Sequence, residues 1–354
     1  MGDKSVCDKE IAVPAAVIQY IDEGVKEKLP EGTQFHGITP SGASYWARTS
    51  KIDATNEAGE DTPFFIKVQQ AEIGKKMVSS EYEAMKALYS VMPEIVAEPI
   101  AWGAYREESD IWFYVCRYCE LSDDIPDLSD FPALLAEMHR RGASEKGEFG
   151  LDLLTYGGRN PHYFPPTNSW EETFSKCLQR TFDMEEETQG PDEEMHRLRD
   201  GLMTKVIPRL LRPLETEGRK LIPTLVHGNI WDGNASVDVN TGLPIIFDAT
   251  PLYAHNEYEM APWWAPRHKM TGAYIAEYIK HYPVSEPAED FKDRGALYGL
   301  RFDLHASSLY TGNLRHRYIV MDTIRDLLNK YPLGYEGYLK EKVSTAGNDA
   351  HPHI

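Results

Sequence analysis

The stretch from Thr224 to Asp248, T-L-V-H-G-N-I-W-D-G-N-A-S-V-D-V-N-T-G-L-P-I-I-F-D, constrains this chain more than any other. A short β-prone run, Leu225-Val226-His227, leads into a loop. Asn240-Thr241-Gly242 signals a turn, and Pro244-Ile245-Ile246-Phe247 forms a second apolar strand that delivers Asp248. Either half alone is an ordinary turn at a strand end. Together, at this spacing, they set His227, Asn229, Asn234 and Asp248 on neighbouring loops. Asn234 and Asp248 supply hard oxygen donors, which suit a two-ligand Mg²⁺ site.

Phosphoryl transfer asks a protein for cations on the phosphates, a positioned nucleophile and a group that receives its proton. Kinase-type sites provide these as His-x-Asp, an Asn five residues later, and a strand ending in a metal-binding Asp. Here Asn234 stands five residues after Asn229, which occupies the carboxylate position. Lys67 ends the run Phe64-Phe65-Ile66, where a lysine needs a partner, and the following helical segment carries Glu81, with Glu83 as a second candidate. A strand-end lysine alone is more often a snorkelling edge residue. The small-residue loop Thr39-Pro40-Ser41-Gly42-Ala43-Ser44, ahead of a strand at Tyr45–Ala47, offers backbone N–H groups and hydroxyls to phosphates, with one glycine where phosphate loops have several.

The order of elements agrees. S-Y-W-A-R-T-S, T-P-F-F-I-K-V and I-W-F-Y-V-C read as strands, and Lys75–Ser90 as a helix with Met77, Tyr82, Met85 and Leu88 at helical spacing. Helices are expected over Phe131–His139, from Trp170 to about Met184, from about Pro191 to Glu217, and onward to about residue 331. The acidic stretch E-E-E-T-Q-G-P-D-E-E reads as a solvated connection. The expected fold is α+β and two-lobed, protein-kinase-like, with a β-rich lobe over 1–120 and a mainly helical lobe over 121–354, disordered from about 345.

A net charge of −19 argues against a nucleic-acid partner, whose phosphates need clustered Lys and Arg. No run is long and apolar enough to span a membrane, and the N-terminus lacks the apolar core of a secretory signal. Four cysteines do not make a disulfide framework, and Cys116-x-x-Cys119 reads as buried strand rather than a redox or metal pair. A cytoplasmic protein is expected, and its oligomeric state is left open.

H-G-N-I-W-D-G-N, I-I-F-D-A and Y-A-H-N-E-Y-E together resemble the fructosamine-3-kinase (ketosamine-3-kinase) family, relatives of the aminoglycoside phosphotransferases. Phe149-Gly150, Thr155-Tyr156-Gly157-Gly158, Asn168-Ser169-Trp170 and the Met77-x-x-x-Glu81 spacing extend the likeness over residues 35 to 330. The resemblance implies ATP- and Mg²⁺-dependent phosphorylation of a sugar hydroxyl on a ketosamine or related small molecule. It assigns the phosphates to Lys67, the orientation of Lys67 to Glu81, and Mg²⁺ to Asn234 and Asp248, beside Ser41, Gly42 and Ser44 of the small-residue loop as candidate phosphate contacts. Trp231 is expected beside the sugar. His255, Glu257 and Glu259 match a segment that either contacts substrate or braces the structure.

The departure is Asn229, where the family has Asp. An amide keeps the hydrogen bond of a general base but accepts no proton at neutral pH. Asp232, three residues on, is a substitute carboxylate in the same loop. Asn229 is either natural divergence or an introduced substitution. Three readings stay open: a slow sugar-amine kinase, a nucleotide- or metabolite-binding pseudokinase, and a kinase-fold enzyme with a changed reaction.

Overall fold

The structure is a computed structural model that describes residues 13–43 and 46–348. The N-terminal residues read above for a signal, and Ser44 and Tyr45, lie outside the described residues. After a 3₁₀ turn and the single-turn helix α1 (Glu23–Lys26), the first lobe is built on five strands: β1 (Gln34–Ala43), β2 (Arg48–Thr55), β3 (Phe64–Gln70), β4 (Pro99–Ala104) and β5 (Ile111–Arg117). They form one antiparallel sheet in the order β1-β2-β3-β5-β4, and helix α2 (Ala71–Val91) follows β3 directly.

Period-two patterning sets the faces of β3. Phe64, Ile66 and Val68 are buried with Val17, Val25 and Phe113, while Phe65, Lys67 and Gln69 point the other way. On α2 the residues Met77, Glu81 and Met85, four apart, share one helical face and line the same side. Two elements adjacent in sequence thus present matched stripes to one cleft.

The second lobe begins with α3 (Phe131–Arg141) and the hairpin β6 (Phe149–Gly157) and β7 (Asn160–Thr167). It continues with α4 (Trp170–Gln189), α5 (Glu193–Gly201), α6 (Ile207–Leu211) and the short strands β8 (Thr224–Val226), β9 (Ala235–Val237), β10 (Pro244–Ile246) and β11 (Leu252–Ala254). Helices α7 (Gly272–His281), α8 (Phe291–Leu309), α9 (Arg315–Lys330) and α10 (Gly334–Asn348) complete it. β7-β6-β11-β8 is a four-stranded sheet, and β9 pairs with β10. A core cluster crosses between the lobes, joining Met85 and Leu88 of α2 and Tyr114 of β5 to Leu135, Ile230, Ile246 and Trp263.

Several expectations need correcting. The small-residue segment Thr39–Ala43 is not a loop but the end of β1, paired to Arg48–Lys51 of β2 with a register shift between Pro40 and Gly42. The next strand starts at Arg48, and Trp46 and Ala47, expected within it, precede it. The helix expected over 191–217 is broken into α5, a π-turn at Leu202–Val206, α6 and a 3₁₀ turn. Pro208 and Pro213, which lack the N–H that a continuous ladder needs, account for the breaks.

Half of the acidic stretch belongs to α4, and Glu185 is buried at 1% exposure, bonded to Arg317 and Ser307. The tail expected to be disordered from about 345 is helical to Asn348, and residues beyond it lie outside the described ones. Among the described residues no helix is long and apolar enough to cross a membrane.

Candidate active site

The cleft is assembled around Lys67. Its Nζ lies 2.9 Å from Glu81 of α2 and 2.5 Å from Oδ1 of Asp248, which follows β10. Burial would depress this ammonium, but Asp248 and Glu81 together hold its pKa above the ordinary lysine value. Burial also pushes the Glu81 carboxyl up to about 7. Asp248, resisted by desolvation but held by Lys67, stays below the usual carboxylate range, so it is the firmer anionic partner. Glu83, the alternative partner, is exposed on α2.

Asp248 adopts φ 55°, a left-handed conformation uncommon for any residue but glycine. Half of its side chain remains open to the cleft. Residues in such strained conformations persist where the surroundings over-determine them, and they cluster at functional sites. Here the surroundings are the Lys67 ion pair and the amide of Asn229, whose Nδ2 donates to the Asp248 carbonyl at 3.2 Å.

The loop after β8 is braced from beneath. The buried Glu259 carboxylate accepts the backbone N–H of His227 at 2.5 Å and of Gly228 at 2.9 Å. Gly228 has φ 75°, and a Cβ there would sit 2.2 Å from the Thr250 carbonyl oxygen, so only glycine fits. His227 is fully buried; Nε2 donates to the Phe247 carbonyl at 2.9 Å and Nδ1 accepts the Asn229 N–H at 3.2 Å. Burial lowers its pKa, which keeps the imidazole neutral and clamps the loop to the Asp248 strand. Asn234 donates through Nδ2 to the Asn229 carbonyl at 2.9 Å, which leaves its Oδ1 as the side-chain oxygen for a ligand.

Two cavities flank Lys67. One of about 370 Å³ is mostly apolar, with Ala47, Phe65, Met85, Ala97, Ile245 and Phe247 among its walls. The other, of about 210 Å³, is lined by Lys67, Glu81, Asp248 and Asn229 together with Trp46, Gln69 and Tyr156. An apolar cavity beside an ion-paired lysine, sharing that lysine with a second chamber, can seat a heteroaromatic phosphate ester with an acceptor beyond it. The donor set also fits a Mg²⁺ ion of the kind that takes one carboxylate and completes its shell with phosphate oxygens and water. Asp248 and Oδ1 of Asn234 supply two hard oxygens. Among the described residues no cluster of three His, Cys, Asp or Glu offers a rival metal cage.

The structure therefore brings Lys67, Glu81, Asp248, Asn229 and Asn234 together. Others it does not. His255, 1% exposed, is bonded to Tyr298 and Ser285, and Glu257, 3% exposed, pairs with Arg294 and accepts the Ser285 N–H. Neither lines the cleft, so the substrate contact expected of them gives way to bracing of the second lobe. Asp232 pairs with His268 at 3.2 Å and accepts the Lys269 N–H at 2.9 Å. Tied there, it is absent from the walls around Asn229, where a substitute base would have to stand. Trp231 packs on the His268 ring, centroids 5.2 Å apart, and does not line the chamber holding Asn229.

Gly42 reaches the apolar cavity, whereas Ser41 is exposed and its hydroxyl donates to Thr49; Ser44 lies outside the described residues. Cys116 and Cys119 are free thiols in the wall of the apolar cavity, and burial pushes them up to about 12 and about 11. Thiols held so far from ionisation are poor nucleophiles.

The sequence reading missed Ala47, Phe65, Met85 and Gln69. The alternation along β3 and the four-residue spacing on α2 carried the signal, since every second residue around Lys67 and every fourth around Glu81 shares their face.

The profile of the fructosamine kinase family matches residues 31–330. A rice (Oryza sativa subsp. japonica) chloroplastic protein-ribulosamine 3-kinase is 28% identical over 303 residues, covering 83% of this chain and 82% of the relative. The mouse ketosamine-3-kinase is 29% identical over 279 residues, covering 70% and 84%. Among solved structures, one named as a fructosamine-3-kinase from Thermobifida fusca superposes with a TM-score of 0.67 at 19% identity, covering 84% of this chain and 95% of that one. The aminoglycoside phosphotransferase APH(4)-Ia, solved with AMP-PNP and hygromycin B, gives 0.54 at 15% identity, covering 84% and 94%.

Proposed function

The chain belongs to the fructosamine kinase family, and from that premise we propose that it transfers the γ-phosphoryl group of ATP to a sugar hydroxyl of a ketosamine-type small molecule. One observation carries the reading: Lys67 is held between Glu81 and Asp248 on the wall of a chamber that Asn229 also lines. Adenine would occupy the apolar cavity between Phe65 and Phe247, which directs the phosphates to Lys67. The Lys67 ammonium neutralises phosphate charge, and Glu81 fixes its direction. Asp248 and Asn234 would hold Mg²⁺, which when bound neutralises the charge that Lys67 alone leaves uncompensated. A solved relative of the same fold takes AMP-PNP, which supports a nucleotide in this cleft. Free thiols suit a reducing compartment such as the cytoplasm.

Asn229 contributes orientation. It faces the chamber beside Asp248 and can hydrogen-bond the acceptor hydroxyl, but it cannot take the proton. Phosphoryl transfer through a loose transition state depends chiefly on positioning and charge neutralisation, so slow turnover survives this loss. The same residue favours the second reading, a pseudokinase, because its amide already donates to the Asp248 carbonyl. The test is ADP formation from ATP and Mg²⁺ with and without fructosyl-lysine. Acceptor-dependent ADP supports the kinase. ATP binding with no acceptor-dependent turnover, at any concentration tried, assigns the pseudokinase.

A further inference from the structure

Gln69 is the next residue on the Lys67 face of β3, roughly 7 Å further along the strand. It is 2% exposed, and its amide oxygen Oε1 is buried with no hydrogen-bond donor. An unpaired buried acceptor destabilises a fold, so its retention asks for a ligand that supplies the donor. The residue is not sealed in the core. It lines the chamber that holds Asn229 and Asp248, and also a side chamber of about 190 Å³ walled by Trp46, Gln70, Ile73, Met77 and Arg159. Trp46, Gln69 and Met77 belong to both chambers, so Gln69 stands where the two adjoin.

The side chamber has further features of a ligand surface. Gln70 also has a buried Oε1 without a donor. Ile73, a large apolar side chain at its rim, is 42% exposed. Between them Ala71 takes φ 67°, which turns the chain sharply from β3 into α2.

Along β3 the order is therefore Phe65 at the apolar slot, Lys67 at the ion-pair cluster and Gln69 beyond it. Resting on the proposed sugar-amine acceptor, we infer that Gln69 is a specificity-determining residue that accepts an N–H of the acceptor's secondary ammonium, and that the nitrogen substituent leaves through the side chamber. Trp46 offers an aromatic face to the same cation. A plain sugar, without the nitrogen, leaves Oε1 unpaired and is penalised.

Calorimetry on the full chain separates the outcomes, with fructosyl-lysine, fructose and AMP-PNP·Mg²⁺ as probes. Gln69→Leu is expected to weaken fructosyl-lysine binding about tenfold or more, the loss of one charge-assisted hydrogen bond, and to leave fructose and AMP-PNP unchanged. The ligand-free variant should melt higher, since an unpaired acceptor is gone. A residue with a merely structural role would not weaken the ligand while stabilising the fold. Gln69→Glu should tighten fructosyl-lysine, and Gln69→Met repeats the test with an unbranched side chain if Leu disturbs folding.

Equal fructosyl-lysine affinity in the starting protein and Gln69→Leu overturns this inference and leaves the kinase reading standing. So does an equal loss for fructose, or weaker binding by Gln69→Glu. AMP-PNP binding with no measurable fructosyl-lysine binding in the starting protein overturns the sugar-amine acceptor, and this inference with it.

Discussion

Lys67, Asp248 and Asn229 divide the work of the cleft by charge. Lys67 is cationic between two carboxylates. Asp248 is anionic, strained and half-open to the cleft, whereas Asn229 is neutral. Removing Asp248 should therefore weaken nucleotide·Mg²⁺ binding far more than altering residue 229. Calorimetry of ATP·Mg²⁺ on Asp248→Ala should show at least about a tenfold loss, the scale of one charge-assisted contact. Affinity equal to the starting protein's would refute its place at the metal.

These residues were legible in sequence because fixed spacing carries them: five positions from Asn229 to Asn234, and an apolar run ending in Asp248. Fixed spacing also singles out His255, Glu257 and Asp232, which the structure places away from the cleft walls. Their motif is real, but a motif does not say whether a polar side chain meets a ligand or a partner such as Arg294 or His268. Alternation along β3 puts Gln69 on the Lys67 face, but no local pattern marks an amide whose oxygen lacks a donor.

The β6–β7 hairpin carries Tyr156 and Gly157 into the cleft wall, although sequence periodicity did not reveal it as strand. Its rough register, with shifts on both sides of Leu151, and its proline-rich return Pro165-Pro166 blur the period-two signal. The hairpin is tied to α8 through His162, whose Nε2 meets His305 Nδ1 at 2.9 Å and whose Nδ1 meets Arg301 at 2.8 Å. Burial first, then Arg301, holds His162 well below the usual imidazole pKa and His305 down to about 3.

Both imidazoles are thus neutral when folded, while the unfolded chain takes up protons below about pH 6.5. Stability is full above that pH and falls as the pH drops toward the folded value. For His305 this costs about 2 kcal/mol between pH 7 and pH 5, and His162 acts in the same direction. Urea unfolding across that range should show the decline, and His305→Gln should reduce its slope by about one proton. An unchanged slope would contradict a neutral buried pair. The breaks in the segment after α5 were missed for a simpler reason: prolines at 208 and 213 are tolerated within an otherwise helical pattern until backbone hydrogen bonds are counted.

The two lobes and their order could be read from the change of texture after the early strands, because β-rich and helix-rich periodicities differ so strongly. What could not be read is how they meet. The contact is a core shared by α2, β5, Ile230, Ile246 and Trp263, residues distant in sequence whose apolar character is the same in any fold. That shared core sets Lys67 of the first lobe against Asp248 of the second, so the proposed phosphate binding and acceptor positioning would be properties of the assembled chain.

On the function proposed above, this assembled cleft is a working sugar-amine phosphotransferase slowed at one atom. The decisive measurement is the turnover of Asn229→Asp on fructosyl-lysine, made beside its ATP affinity. Carboxylate and amide are nearly isosteric, so ATP·Mg²⁺ affinity should change little, while kcat should rise roughly 10²-fold or more as a proton acceptor is restored. No gain in kcat, in a variant that folds and binds ATP·Mg²⁺ as before, would contradict it.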